Sequence, residues 1–469
     1  MSLWVTVAVG CVVLLGGGPV AWAAGAAGPA KVVVYPAPEG EKASGDYTVE
    51  VAGRPVFVYS ANVLHGGPAS FAYFDFDGRV EVKVTVRRDL SKAVIRPLSF
   101  GLTPAVEGRT IRFALDRPRN MSIEPDGRYE RPLLLFANPL ETARPDPAAR
   151  GVKYFGPGIH TPGRIKLGDG ETLYVAGGAI VKGGVLAEGN DITITGRGII
   201  DGLQYARNEG PTPQPIHIRR SRNVRVDGII VKDAWTWSFV IAGSRDVRVD
   251  NVKVIAARGP NNDGIGTLNS RDVTITNCFI RTDDDCITAK GDGWPGRDKA
   301  LDGWPVDGLT VTGCVLWTDR AHIWRLGCES WAAGMRNMTF TDIDVLHRDG
   351  PWLLTVQPAE EMRMENVRFE NIRVNGEGQD KLIEVFPAPT KWTRRRHTPG
   401  NVRNVLFKDI LVTGPRPEGG QGLIKVHGLD AQHTVEGVTF QNVIRHGRRL
   451  TQDAPDVQIN EFTKDITFK

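Results

Sequence analysis

A chain of 469 residues with a 41% apolar fraction and 54 glycines can bury a large core and turn often, so it is a folded protein with room for more than one domain. Its formal charge of +4 is small for that length and no cluster of Lys and Arg dominates, which argues against a nucleic-acid partner. The one basic run, Arg394 to Arg396, reads as a solvated loop.

The first segment, residues 1–24, has a short apolar core followed by the small residues Ala21 to Ala23. This is the pattern of a secretory leader cut after Ala23 or Ala24, although the usual Lys or Arg at its start is missing and a retained anchor is the competing reading. No later segment is long and apolar enough to span a bilayer. Export leaves Cys278, Cys286, Cys314 and Cys328, whose irregular spacing does not suit a zinc site; buried thiols or a local disulfide fit better.

Residues 30–145 alternate apolar and polar positions, as in "DYTVEVAGRPVFVYS" and "FAYFDFDGRVEVKVTV", with turn residues between the runs. The pattern predicts antiparallel strands with one buried face, hence a small β-sandwich. It holds no cluster of histidines, cysteines or acids, so a supporting or carbohydrate-contacting role is expected of it.

From about residue 150 to residue 469 one phrase recurs: "NDITITGRGII", "RNVRVDGIIV", "RDVRVDNVKV", "RDVTITNCFI" and later variants. Aligned on the residue before the first strand, the copies begin at Asp191, Asn223, Asp246, Asp272, Gly308, Asn337, Asn366, Asn404 and Gly437, with periods of 23 to 38 residues. Fixed phrases separated by variable loops describe a solenoid. Each copy is two short β-branched strands joined by a polar or glycine corner, without a helical period, which predicts a parallel β-helix. Coils then stack about 4.8 Å apart, and residues one period apart become neighbours.

That geometry gathers acids. Asp263 precedes Asp284 by 21 residues and Asp285 by 22, close to one short coil, so these three are expected on one face of adjacent rungs. Side chains alternate along a strand, so Asp283 or one of its neighbours must face elsewhere. Three consecutive acids repel more than a turn needs, which points to acid–base work; calcium, which takes hard oxygen ligands, is the competing use. Trp235, Trp237, Trp294 and Trp304 are expected as cleft walls, because flat rings stack on pyranose faces, and Lys290 as a polar contact. Trp324 beside the histidine is read the same way.

The motifs "NND" at Asn261 to Asp263, "DDDC" at Asp283 to Cys286 and the histidine in "RAHIWRLGCE" resemble those of the polygalacturonases, glycoside hydrolase family 28. The opening "YFGPGIHTPGRIKLGDGETLYVAGGAIVKGGV", with the preceding sandwich, is similar to the related dextranase family 49, which pairs a sandwich with a right-handed β-helix. The resemblance spans roughly Tyr154 to Val443. It implies an all-β, pectin-lyase-like fold and a secreted or periplasmic inverting hydrolase. Carried over, Asp284 would be the general acid, Asp263 and Asp285 would activate water, and Asn261, His322 and Arg325 would bind substrate. An inverting enzyme is expected to hold its carboxyl groups about 6.5–9.5 Å apart.

Two departures qualify the match. Gly-His-Gly is replaced by Ala321-His322-Ile323, and the Arg-Ile-Lys motif that would grip a uronate falls over Leu353, Leu354 and Thr355. A neutral glycan such as dextran is therefore expected ahead of polygalacturonate, with Arg320 or Arg325 able to substitute from another rung. A lyase and a non-catalytic surface binding module are the alternatives. A monomer acting on a polysaccharide is expected, with no cofactor, no metal ion, no nucleic acid and, after leader removal, no membrane.

Overall fold

In the computed structural model, residues 30–469 are described except 143, 292–300, 302, 329, 349, 351, 377–380, 394–398 and 415–422. Residues 1–24, expected as a leader, Trp294 and the run at Arg394 lie outside the described residues. No helix among those residues is long and apolar enough to cross a membrane.

Almost everything is strand. One sheet of 30 strands, from Val152–Phe155 to Thr467–Phe468, pairs in parallel throughout except for a short hairpin at Ile444 and Arg449. It is a right-handed parallel β-helix. The nine residues that begin the repeats all take the left-handed conformation, with φ between 53° and 76°. Only Gly, Asn and Asp reach that region cheaply, which is why no other residue type begins a copy. The side chains also tie rungs together: Asn223 donates to Asp191 at 2.6 Å and Asn404 to Asn366 at 3.3 Å.

Most coils hold a third strand that the repeated phrase does not contain. Phe239–Ala242, Ile265–Leu268, Ile287–Lys290, Trp324–Gly327 and Leu354–Gln357 stack in register with one another. Inside the later coils, Phe340, Phe369, Phe407, Phe440 and Phe468 form a column with ring centres 4.7–5.3 Å apart, the spacing of the rungs themselves.

Residues 31–139 form two sheets, one of six strands and one of five, packed around an apolar core that includes Val49, Phe74, Val82, Ile111 and Leu135. One pairing is not antiparallel: Leu133–Pro139 runs parallel to Ala69–Asp77. The expected single buried face also fails for Ala69–Asp77, where every residue but the last is buried. Ala72, Phe74 and Phe76 face the sandwich core, whereas Phe71 and Tyr73 meet an outer stripe of the β-helix made of Ile180, Ile199, Ile230, Ile255, Phe279 and Trp317. Asp75 joins the same seam through Arg197 at 3.1 Å, both buried.

All four described cysteines are free and buried. Burial pushes the Cys278 and Cys286 thiols up, away from the reactive thiolate. The native protein should therefore react slowly with a thiol reagent. The chain lacking residues 1–24 should release four equivalents once unfolded; fast labelling in the folded state would contradict the burial.

Candidate active site

The third strand of each coil builds the site. Extending the pairing of Phe239, Ile265, Ile287 and Trp324 backwards by two residues puts Trp237, Asp263, Asp285 and His322 on four consecutive rungs. Backbone bonds fix this column: Ser238 N–H donates to the Asp263 carbonyl at 2.9 Å, Gly264 N–H to Asp285 at 2.8 Å and Cys286 N–H to His322 at 2.9 Å. Gly264 is obligatory in it, because a Cβ there would lie 2.3 Å from the Cys286 carbonyl oxygen.

Asp263, Asp284 and Asp285 meet with carboxylate oxygens within 4.8 Å of one another. The next acid turns away. Asp283 is fully buried, accepts from Arg320 at 2.8 Å and lies 3.3 Å from His65 of the sandwich. The Asn262 amide also faces inward, bonding the Ala234 and Thr236 carbonyls, so Asn261 is the asparagine of the motif that reaches the cavity.

The acids differ in environment. Burial, helped by the Asp285 charge, pushes the Asp284 carboxyl above its ordinary value. Burial works against the Asp285 charge too. There, however, the hydrogen bond from His322 and the charges of Lys290 and Arg325 outweigh it and hold the carboxyl below the usual range. His322 Nδ1 lies 2.8 Å from Asp285 and its Nε2 lies 2.9 Å from Arg325. One neutral tautomer meets both contacts, donating to the carboxylate and accepting from the guanidinium. Lys290 sits 3.7 Å from both Asp263 and Asp285 and 4.8 Å above the Trp237 ring. A carboxyl biased toward its protonated form beside one held ionised is the arrangement that acid–base chemistry needs.

These groups line one cavity of about 360 Å³, together with Arg320, Ala321, Lys391 and Trp392. Of the residues expected from the sequence, it gathers Asp263, Asp284, Asp285, Asn261, Lys290, His322, Arg325 and Trp237. Trp235 is not among them: it is buried, packed edge-on against Tyr205 at 5.0 Å in space left by Gly210, where a Cβ would meet the indole at 1.9 Å. Trp324 lies in the solenoid interior against Phe340 and Phe369. Trp304 is 48% exposed but borders a different groove. Lys391 and Trp392 were not legible, since their loop carries no repeat phrase and only an exposed aromatic could have marked it.

Fold and site define a class: the chain is similar to the polygalacturonase-like and dextranase-like β-helix hydrolases. Residues 172–294 match the family described as glycosyl hydrolases family 28, a stretch that holds all three acids but not His322, Arg325 or Trp392. An exopolygalacturonase of Arabidopsis thaliana is 32% identical over 205 residues, covering 43% of this chain and 44% of the relative. A probable exopolygalacturonase B of Emericella nidulans is 22% identical over 259 residues, covering 49% and 56%. The chain thus spans about half the length of the curated relatives it matches. Among solved structures, Dex49A from Penicillium minioluteum superposes with a TM-score of 0.65 at 14% identity, covering 93% of this chain and 96% of that one, which establishes the shared fold.

Proposed function

We propose that the protein is an exported glycoside hydrolase that cleaves a polysaccharide by inversion. Asp284 protonates the glycosidic oxygen, and Asp263 and Asp285 hold and deprotonate the attacking water. The observation that carries this reading is the meeting of Asp263, Asp284 and Asp285 in one cavity, in surroundings that favour a protonated Asp284 beside an ionised Asp285. The acids approach more closely than the expected gap of about 6.5–9.5 Å. Water must then sit on the Asp263–Asp285 pair, steadied by Lys290, and not in a wide space between two lone acids.

The substrate reading shifts from a neutral glycan to a uronate polymer. Leu353 and Leu354 are buried in the solenoid core and Thr355, in register with Arg325, carries no charge, so the cations of the cavity come from other rungs and loops: Lys290, Arg320, Arg325 and Lys391. Guanidinium and ammonium groups favour a carboxylate-bearing sugar. The neutral glycan remains the second reading, favoured by Trp237 and Trp392, whose rings suit any pyranose.

Release of reducing ends from polygalacturonate and dextran decides between them; faster cleavage of polygalacturonate is expected. Proton magnetic resonance of fresh product should give inverted anomeric configuration, and retention would overturn the water-pair assignment. Unsaturated products that vanish on chelation would mark a lyase instead.

A further inference from the structure

A second groove, of about 690 Å³, lies at the opposite end of the strands that carry the acids. Arg222, Arg245 and Arg271 occupy equivalent positions on three successive rungs, in direct register, and all are exposed. Arg222 shares its charge with the exposed Asp246 at 3.3 Å. Among the described residues no carboxylate pairs with Arg245 or Arg271.

The corner beneath them is rigid. Ser221 N–H donates to Ser244 Oγ at 3.0 Å and Ser244 N–H to Ser270 Oγ at 3.1 Å, so buried hydroxyls lock the three rungs together. The wall opposite is Trp304, whose carbonyl accepts from Asn269 at 2.6 Å. Next to it Leu301 packs on Val240 and Ala242, and Trp237 of the cavity packs against the same cluster. The strand Phe239–Ala242 runs from Trp237 toward the Arg245 corner, so the two sites share one surface roughly 20 Å long.

We infer that this groove is a second glycan-binding site, separate from the cavity, for a carboxylate-bearing polysaccharide chain. The cations repeat about every 4.8 Å, near the length of one sugar in an extended chain. Each guanidinium presents a flat fork that fits a carboxylate through two hydrogen bonds, and the exposed Trp304 ring supplies a face for a pyranose. A neutral chain would use the ring but leave the ladder without counter-charges. The inference rests on the acidic-glycan reading of the substrate only for its choice of probe, and binding here requires no bond cleavage.

The test uses the full chain carrying Asp284→Asn, so that the probe survives, with and without Arg245→Glu and Arg271→Glu together, or Trp304→Ala. Migration through gels containing polygalacturonate, dextran or duplex DNA reads binding, and thermal melting checks the fold. The double charge reversal is expected to weaken polygalacturonate binding about tenfold or more, while leaving dextran retardation and melting unchanged. Trp304→Ala should weaken both polymers. In the parent sequence the double variant should lose efficiency on the long polymer yet keep it on a short oligouronide.

Unchanged polygalacturonate binding in the double variant would overturn the inference. So would tighter, equally arginine-dependent binding of DNA. Arginine-dependent binding of a polymer that the active chain never cleaves would support this site while refuting the proposed substrate.

Discussion

Asp284→Asn is expected to lower the rate of cleavage by a factor on the order of 10² to 10⁴, the usual share of general acid catalysis, with little change in substrate binding. The substitution keeps the volume, and its single amide oxygen can accept from one of the two N–H groups, Asn261 or Asp285, that the two carboxylate oxygens now accept from, so one of these contacts is lost. The pH profile gives a sharper reading. Because the Asp284 carboxyl is raised, its protonated form persists above the ordinary aspartate value of about 3.9, and activity should fall as pH rises through the raised value.

The same shift predicts that stability, too, falls as pH rises. A carboxyl whose folded pKa exceeds its unfolded one contributes stability below the unfolded value and loses it as pH climbs through the folded value. At neutral pH the ionised Asp284 therefore burdens the fold, and removing that charge in Asp284→Asn should offset the one hydrogen bond the amide cannot accept, leaving the melting temperature close to the parent's. Asp263→Asn and Asp285→Asn should also be inactive, whereas Asp283→Asn should be milder, since that residue faces Arg320 and His65. Full activity in Asp284→Asn would return the acids to a calcium or turn role.

Phe407→Ala should cost about 3–5 kcal/mol of stability, the loss expected when a large buried ring leaves a cavity. Phe407 is fully buried between Phe369 at 5.3 Å and Phe440 at 5.0 Å, with ring planes within 8° and 11° of parallel. A solenoid couples each rung mainly to its neighbours, so the damage should stay near the later coils and leave the acid rungs working below the melting temperature. Phe407→Leu should recover much of the loss. A denaturant midpoint unmoved by Phe407→Ala would mean the column adds little.

The corners were legible because one physical demand, a left-handed backbone at each coil, admits few residue types; Asp191, Asn223 and Gly308 announce it directly. Adjacency of Asp263 and Asp285 followed from the coil length. The third strand was not legible, because segments such as "FVIA" and "IGTL" carry no shared phrase and are held by pairing alone. Tryptophans misled for a related reason. Whether Trp235 fills a core or lines a cavity depends on Gly184 and Gly210, far away in sequence, which leave the space it occupies. Arg325, on the rung next to Thr355, and Lys391 reach the cavity from separate segments, so no one motif holds its cations.

The strand Ala69–Asp77, covered on both sides, makes the molecule hard to divide. Cutting the connector between residues 140 and 151 should give a nicked protein whose pieces stay together through gel filtration. Expressed alone, the solenoid would bare the stripe from Ile180 to Trp317 and the sandwich would bare Phe71, Tyr73 and Phe136, an invitation to clump. Anyone trimming this protein for crystallisation or industrial use should keep both portions on one polypeptide.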